Sequence, residues 1–111
     1  MSSLDTSSEL PASSEMSMPD FHEVRKASLI FRALNHKLRQ QMLLILLERK
    51  ELTVSELFHL LKLEQSVASQ HLAILRRAGL VKKERDGKFM YYKLNLEKLQ
   101  LLNKMITELL K

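Results

Sequence analysis

The segment TVSELFHLLKLEQSVASQHLAILRRAGL, residues 53–80, constrains the fold more than any other part of the chain. Thr53 with Glu56 three positions on is a capping-box signature, opening a short helix through Leu57, Phe58 and Leu61. A second helical period runs from Ser66 to Ala78 and stops at Gly79, which suits the left-handed position after a helix. Only Lys62 to Gln65 lie between the two, so the pair must fold as a helix-turn-helix.

The second of these helices has an unusual outer face. On a helical wheel Ser66, Ser69, Gln70, Ala73, Arg76 and Arg77 share an arc of roughly 120°, and the apolar residues and His71 take the rest. A solvated face normally mixes Glu with Lys, whereas this one offers hydroxyls, an amide, a methyl and two guanidinium groups, with no acid. Charge reinforces the point. Residues 66–93 carry seven basic side chains against Glu84 and Asp86, which equals the whole chain's formal charge of +5, while residues 1–19 contain three acids and no Lys or Arg. A basic segment beside a nonacidic helix face points to a polyanion; by charge alone, a solvated basic surface is the plain alternative.

The remaining elements follow from caps and periods. Residues 1–18, with seven serines and no apolar period, are expected to be a disordered tail, leaving residues 19–111 as one domain. Asp20 with Glu23 reads as a capping box for a first helix whose stripe is Phe21, Val24, Ala27, Ser28, Phe31 and Leu34. Asn35 is a candidate cap for a second helix, in which the run Met42 to Leu47 suggests burial on nearly all sides. Residues 81–85 and 89–94 are strand-compatible, and Asp86-Gly87 between them suits a tight turn, giving a two-stranded hairpin with a basic tip. Asn95 can cap a last helix with Leu99, Leu102, Ile106, Leu109 and Leu110 on one side, widened by Leu101 and Met105. The fold class is mainly α with a small β-hairpin, and a chain this short and rich in Leu and Met often completes its burial against a second copy.

Several function classes drop out. The absence of cysteine removes disulfides, thiolate metal sites and thiol redox sensing. Together with the lack of a secretory signal or an uninterrupted membrane-length apolar run, this makes a cytoplasmic protein without a membrane partner the expectation. No glycine-rich phosphate loop and no nucleophile elbow occur, so an enzyme is not expected.

Across about residues 20–110 the chain resembles the ArsR/SmtB family of bacterial winged helix-turn-helix repressors. The residues that carry the likeness are Gln65-Ser66, Ser69, His71-Leu72, Leu75-Arg76 and Ala78-Gly79-Leu80-Val81, followed by the basic hairpin. The resemblance implies a homodimer formed through the first and last helices, with Phe21, Val24, Leu99, Leu102, Ile106 and Leu109 as interface candidates. It further implies double-stranded DNA as partner, two recognition helices entering successive major grooves of a pseudo-palindromic operator. Gln65, Ser66, Ser69 and Gln70 are then candidate contacts to bases or phosphates, Ala73 permits close approach, and Arg77 adds charge. Arg85 and Lys88 at the hairpin tip are candidates for phosphates or the neighbouring minor groove. Ser66 serves either as helix cap or as DNA contact. His71 lies on the apolar side, where a packed histidine is the plainer reading than a ligand.

Family members often release DNA when a metal or oxidant binds, and here the sequence departs from the pattern. Thr53 and Ser55 occupy the positions of a Cys-x-Cys pair in thiolate-sensing members, and the last helix has no histidine. Glu56 and His59 have a ligand-compatible spacing but no evident further partners, an exposed ion-dipole pair being the plainer account. His22 and His36 read as isolated surface residues. The expectation is therefore a DNA-binding repressor with no metal and no cofactor, and with an unknown inducer if it has one. The alternative is a winged-helix protein-interaction module without sequence-specific DNA binding.

Overall fold

The computed structural model describes residues 17–111. The expected disordered tail lies outside the described residues except for Ser17 and Met18, which belong to no helix or strand. The chain then runs α1 (Phe21–Leu34), α2 (Lys37–Arg49), β1 (Glu51–Thr53), α3 (Val54–Leu60), α4 (Gln65–Arg77), β2 (Val81–Asp86), β3 (Phe89–Leu94) and α5 (Leu96–Leu109). No helix among the described residues is long and apolar enough to cross a membrane.

Asp20 caps α1 by accepting from the His22 N–H at 2.9 Å, but Glu23 pairs with Lys26 at 3.2 Å instead of closing a capping box. The α1–α2 corner is held by side chains from α2. Arg39 Nε donates to the Ala33 carbonyl at 2.7 Å, its Nη2 to the Arg32 carbonyl at 3.3 Å, and Gln40 Nε2 donates to the Leu34 carbonyl at 2.8 Å. All three belong to the last turn of α1, where the helix itself supplies no i+4 donor; Arg32 and Leu34 also accept from the Asn35 and His36 N–H groups, so Ala33 is the one that depends on Arg39. His36, not Asn35, caps α2, its Nδ1 accepting from the Leu38 N–H at 3.1 Å. Asn35 lacks the extended backbone of an N-cap because its own N–H closes α1 onto Phe31 and Arg32.

The core gathers Met42 and Leu46 of α2, Leu57 of α3, and Ala68, Leu72 and Leu75 of α4. Leu52 and Val81 of the strands, Leu80 of the turn after α4 and Leu102 of α5 close it. Burying a leucine side chain contributes about 1.5–3 kcal/mol, so these contacts, more than helix propensity, fix the helices. The run Met42 to Leu47 is not surrounded as expected: Leu44 is 65% exposed, because only one side of α2 meets the core.

The wing has three antiparallel strands in the order β1-β3-β2, correcting the two-stranded hairpin. In β1, Leu52 pairs with Tyr92, about forty residues away, so no local pattern announced it. The loop is Gly87-Lys88 between paired Asp86 and Phe89, not Asp86-Gly87. Gly87, at φ +64°, takes the first loop position in the manner of a II′ turn.

Two helix ends in the central motif close in the same way. At the end of α4, Leu80 N–H reaches the Leu75 carbonyl at 3.0 Å and Gly79 N–H the Arg76 carbonyl at 2.9 Å, a Schellman closure with Gly79 at φ +78°. At the end of α3, Leu63 N–H reaches Phe58 and Lys62 N–H reaches His59, so Lys62 holds the left-handed position at φ +55°. Asn95 then ties α5 to the end of the helix-turn-helix. Its side-chain amide donates to the Gly79 carbonyl at 2.9 Å, its Oδ1 accepts from the Lys98 N–H at 3.2 Å, and its N–H meets the Leu80 carbonyl.

Candidate nucleic-acid interface

Helix α4 presents the expected face. Ala68, Leu72 and Leu75 are turned into the core, and Gln65, Ser66, Ser69, Gln70, Arg76 and Arg77 are exposed. The N-cap is Glu64, so Ser66 lies inside the first turn and is not the cap. Glu64 makes no side-chain cap bond, which leaves the first-turn N–H groups open to a phosphate, the group a helix N-terminus favours. A shallow depression lies between Ser69, Gln70, Ala73, Ile74 and Arg77.

Sheet parity sorts the basic residues of the wing. Val81 is buried, so Lys83 and Arg85 lie on its face of β2, the face of Leu52, Tyr92 and Leu94 against which the helices pack. Lys82, Glu84 and Asp86 lie on the other face. Lys93 is not available to a polyanion in the same way as the rest. Its ammonium pairs with Glu84 and stands 3.7 Å from Glu51. The hydrogen bond from Lys93, then its charge, holds the Glu84 carboxyl below its usual range, and Lys93 is correspondingly raised. Lys88 sits in the turn with its ammonium 5.5 Å from the Phe89 ring centroid. Arg85 and Lys88 are thus both at the exposed tip, beyond the core.

Behind α4 is a cluster that sequence reasoning missed. Arg39 is 8% exposed, and its Nη1 lies 3.2 Å from His71 Nδ1 on α4. His36 is not isolated, because its ring centroid is 4.8 Å from that of His71. Burial first, then His36 and Arg39, hold the His71 imidazole below its ordinary value. An arginine three residues into a helix reads as surface charge, and no local signal marked it as the α1 end-clamp. Glu56 and His59 are both engaged elsewhere. The Glu56 carboxylate accepts from the Thr53 N–H at 2.8 Å within the capping box, and His59 Nδ1 lies 2.7 Å from the Ser55 carbonyl.

The interface candidates divide into two groups. Phe21 (67% exposed), Val24 and Leu109 (73% exposed) are open to solvent, while Leu102 belongs to this chain's own core and Leu99 packs against it. Ile106 is half-buried.

Residues 36–83 match the family described as bacterial regulatory protein, arsR family. The chain is 37% identical over 84 residues to the arsenic resistance transcriptional regulator ArsR1 of Pseudomonas putida, covering 76% of this chain and 66% of that one. It is likewise 37% identical over 84 residues to the transcriptional activator HlyU of Vibrio cholerae, covering 76% of this chain and 77% of HlyU. The structure of HlyU superposes with a TM-score of 0.63 over 78% of this chain and 94% of HlyU. That of the transcriptional repressor PagR of Bacillus anthracis, 28% identical, gives 0.64 over 78% and 99%.

Proposed function

The chain belongs to the arsR family of bacterial regulatory proteins and is a DNA-binding transcriptional regulator, and we propose that it acts as a cytoplasmic homodimeric repressor on a pseudo-palindromic operator. The observation that carries this reading is the acid-free face of α4, whose Ser69, Gln70 and Arg77 stand exposed on a helix anchored behind by Leu72 and Leu75. Gln70 and Ser69 read base edges, Gln65 and Ser66 meet the backbone at the start of the helix, and Arg77 adds a phosphate contact at its end. Arg85 and Lys88 hold the flanking phosphates or minor groove.

Dimerisation supplies the second half-site. The solvent-facing Phe21, Val24 and Leu109 support α1 and α5 as its surfaces, with Ile106 at the margin. Through Asn95, the position of α5 sets the position of the Gly79 turn and hence the end of α4, so the dimer geometry fixes the spacing of the two recognition helices. Repression needs only that such a dimer occupy a promoter. No metal or cofactor enters this reading. The protein-interaction alternative has no observation in its favour, because α4 exposes no large apolar anchor of the kind such interfaces use.

Selection from random duplexes tests the proposal. It should enrich an inverted repeat with half-sites about one helical turn apart, bound with a steep loss of affinity as salt rises. Ser69→Ala and Gln70→Ala should cost about 1–3 kcal/mol in discrimination, whereas Arg85→Ala and Lys88→Ala should weaken specific and nonspecific duplexes alike. Recovery of no motif would refute it.

A further inference from the structure

A cleft of about 310 Å³ opens between the C-terminal halves of α1 and α4. Its walls are aliphatic, Leu29 and Ala33 from α1 and Ile74 and Ala78 from α4. Three arginines, Arg32, Arg39 and Arg77, also line it, and no acidic residue does. None of these arginines takes part in an ion pair among the described residues.

Arg39 is the unusual member. It is the buried charge of the described residues, yet its partners are two backbone carbonyls and an imidazole. Two of the five N–H groups of its guanidinium are left without a partner among those residues. A buried cation is ordinarily matched by a carboxylate or phosphate, and a bound anion would supply one here. The helix C-termini beside the cleft do not cancel its charge. Each is equivalent to roughly half a negative unit, so two of them offset about one of the three positive charges and leave about two.

A phosphodiester of DNA would gain nothing from the four aliphatic walls, and Arg39 is too deep to reach one. A carboxylate on an apolar chain or ring uses both features, and the volume lies at the lower end of the range for small-molecule sites. We propose that this cleft binds a small organic anion of that kind, and that its occupation opposes DNA binding. The second half rests on the DNA reading above. The ligand draws on Arg77, which otherwise faces DNA, and it engages Arg39, whose other contact is His71 on the recognition helix. Coupling of this sort is reciprocal: if the anion weakens DNA binding, DNA weakens anion binding by the same factor.

The test uses the full chain without DNA, titrated with octanoate and followed by backbone amide NMR. Octanol, acetate and octyltrimethylammonium serve as controls. Saturable shifts should centre on Leu29, Ala33, Ile74 and Ala78, with octanoate binding roughly tenfold tighter than octanol or acetate, as expected for a charge-assisted bond added to apolar contact. Arg32→Gln should weaken octanoate severalfold and leave octanol unchanged. Equal binding of octanol and octanoate, shifts confined to the exposed leucines of α2 and α5, or indifference to Arg32→Gln would overturn the site. Loss of DNA affinity in Arg32→Gln with no octanoate binding would overturn it in favour of a phosphate contact. Addition of octanoate to a preformed complex with the selected duplex should then release DNA. Anion binding without release would overturn the coupling alone, and a failed motif selection with anion binding intact would strike the DNA reading and leave the site standing.

Discussion

Replacing Arg39 by methionine keeps an unbranched side chain of similar reach and removes the guanidinium. In the wild type that group makes a short bond to the Ala33 carbonyl and longer ones to the Arg32 carbonyl and His71. A bond with a charged donor contributes about 1.5–3 kcal/mol and the longer ones less. Ala33 is 3% exposed, so its carbonyl cannot turn to water when the donor is lost. Against this stands relief from desolvating an unpaired cation, together with the apolar burial that methionine adds. The carbonyl left bare outweighs the relief, because no other donor bonds Ala33 in the wild type, and the expected net loss is about 2 kcal/mol. Urea unfolding at fixed protein concentration measures it, concentration being held because association shifts apparent stability. The His71 imidazole should also rise toward its ordinary value in the variant, since one of the three causes holding it down is gone. A variant as stable as the wild type, or a His71 titration that does not move, would refute the view of Arg39 as the clamp joining α1, α2 and α4.

For His71, whose folded value lies below the unfolded one, the unfolded chain takes up its proton first as pH falls. Stability from this source is full above about 6.5 and is lost as pH drops through the lowered folded value, the charged ring then facing His36 and Arg39; His71→Gln should flatten that part of a pH–stability profile. The two left-handed helix ends should respond oppositely to substitution. Gly79→Ala should cost about 1 kcal/mol, the strain residing in the backbone because the added methyl would meet only the flexible end of Lys98, while Lys62→Gly should add about 0.5 kcal/mol; thermal unfolding of both distinguishes them. Leu109→Glu should leave a folded monomer by sedimentation, whereas Leu102→Glu should unfold the chain by circular dichroism, because only the second places a carboxylate in the chain's own core.

Local patterns of the chain determined the central motif almost completely. The Thr53–Glu56 box, the period of residues 66–78 and Gly79 are each set within one or two helical turns, and capping, amphipathicity and left-handed glycine act at that range. The same range made the acid-free face of α4 legible, since a helical wheel needs no tertiary information. Tertiary structure decided what depends on partners far along the chain. Strand β1 exists because Leu52 meets Tyr92, Lys93 loses its freedom to Glu84 and Glu51 across the sheet, and parity about the buried Val81 sends Arg85 to the helix side of the wing. The turn of the helix-turn-helix closes on Lys62 without a glycine, because the Schellman bonds and the burial of Leu57 together outweigh a backbone strain of about 1–2 kcal/mol. Arg39 is buried because the corner between α1 and α2 presents carbonyls of α1 to it and sets His71 of α4 beside it, whereas the His36 cap is a local contact two residues long that the sequence could have shown.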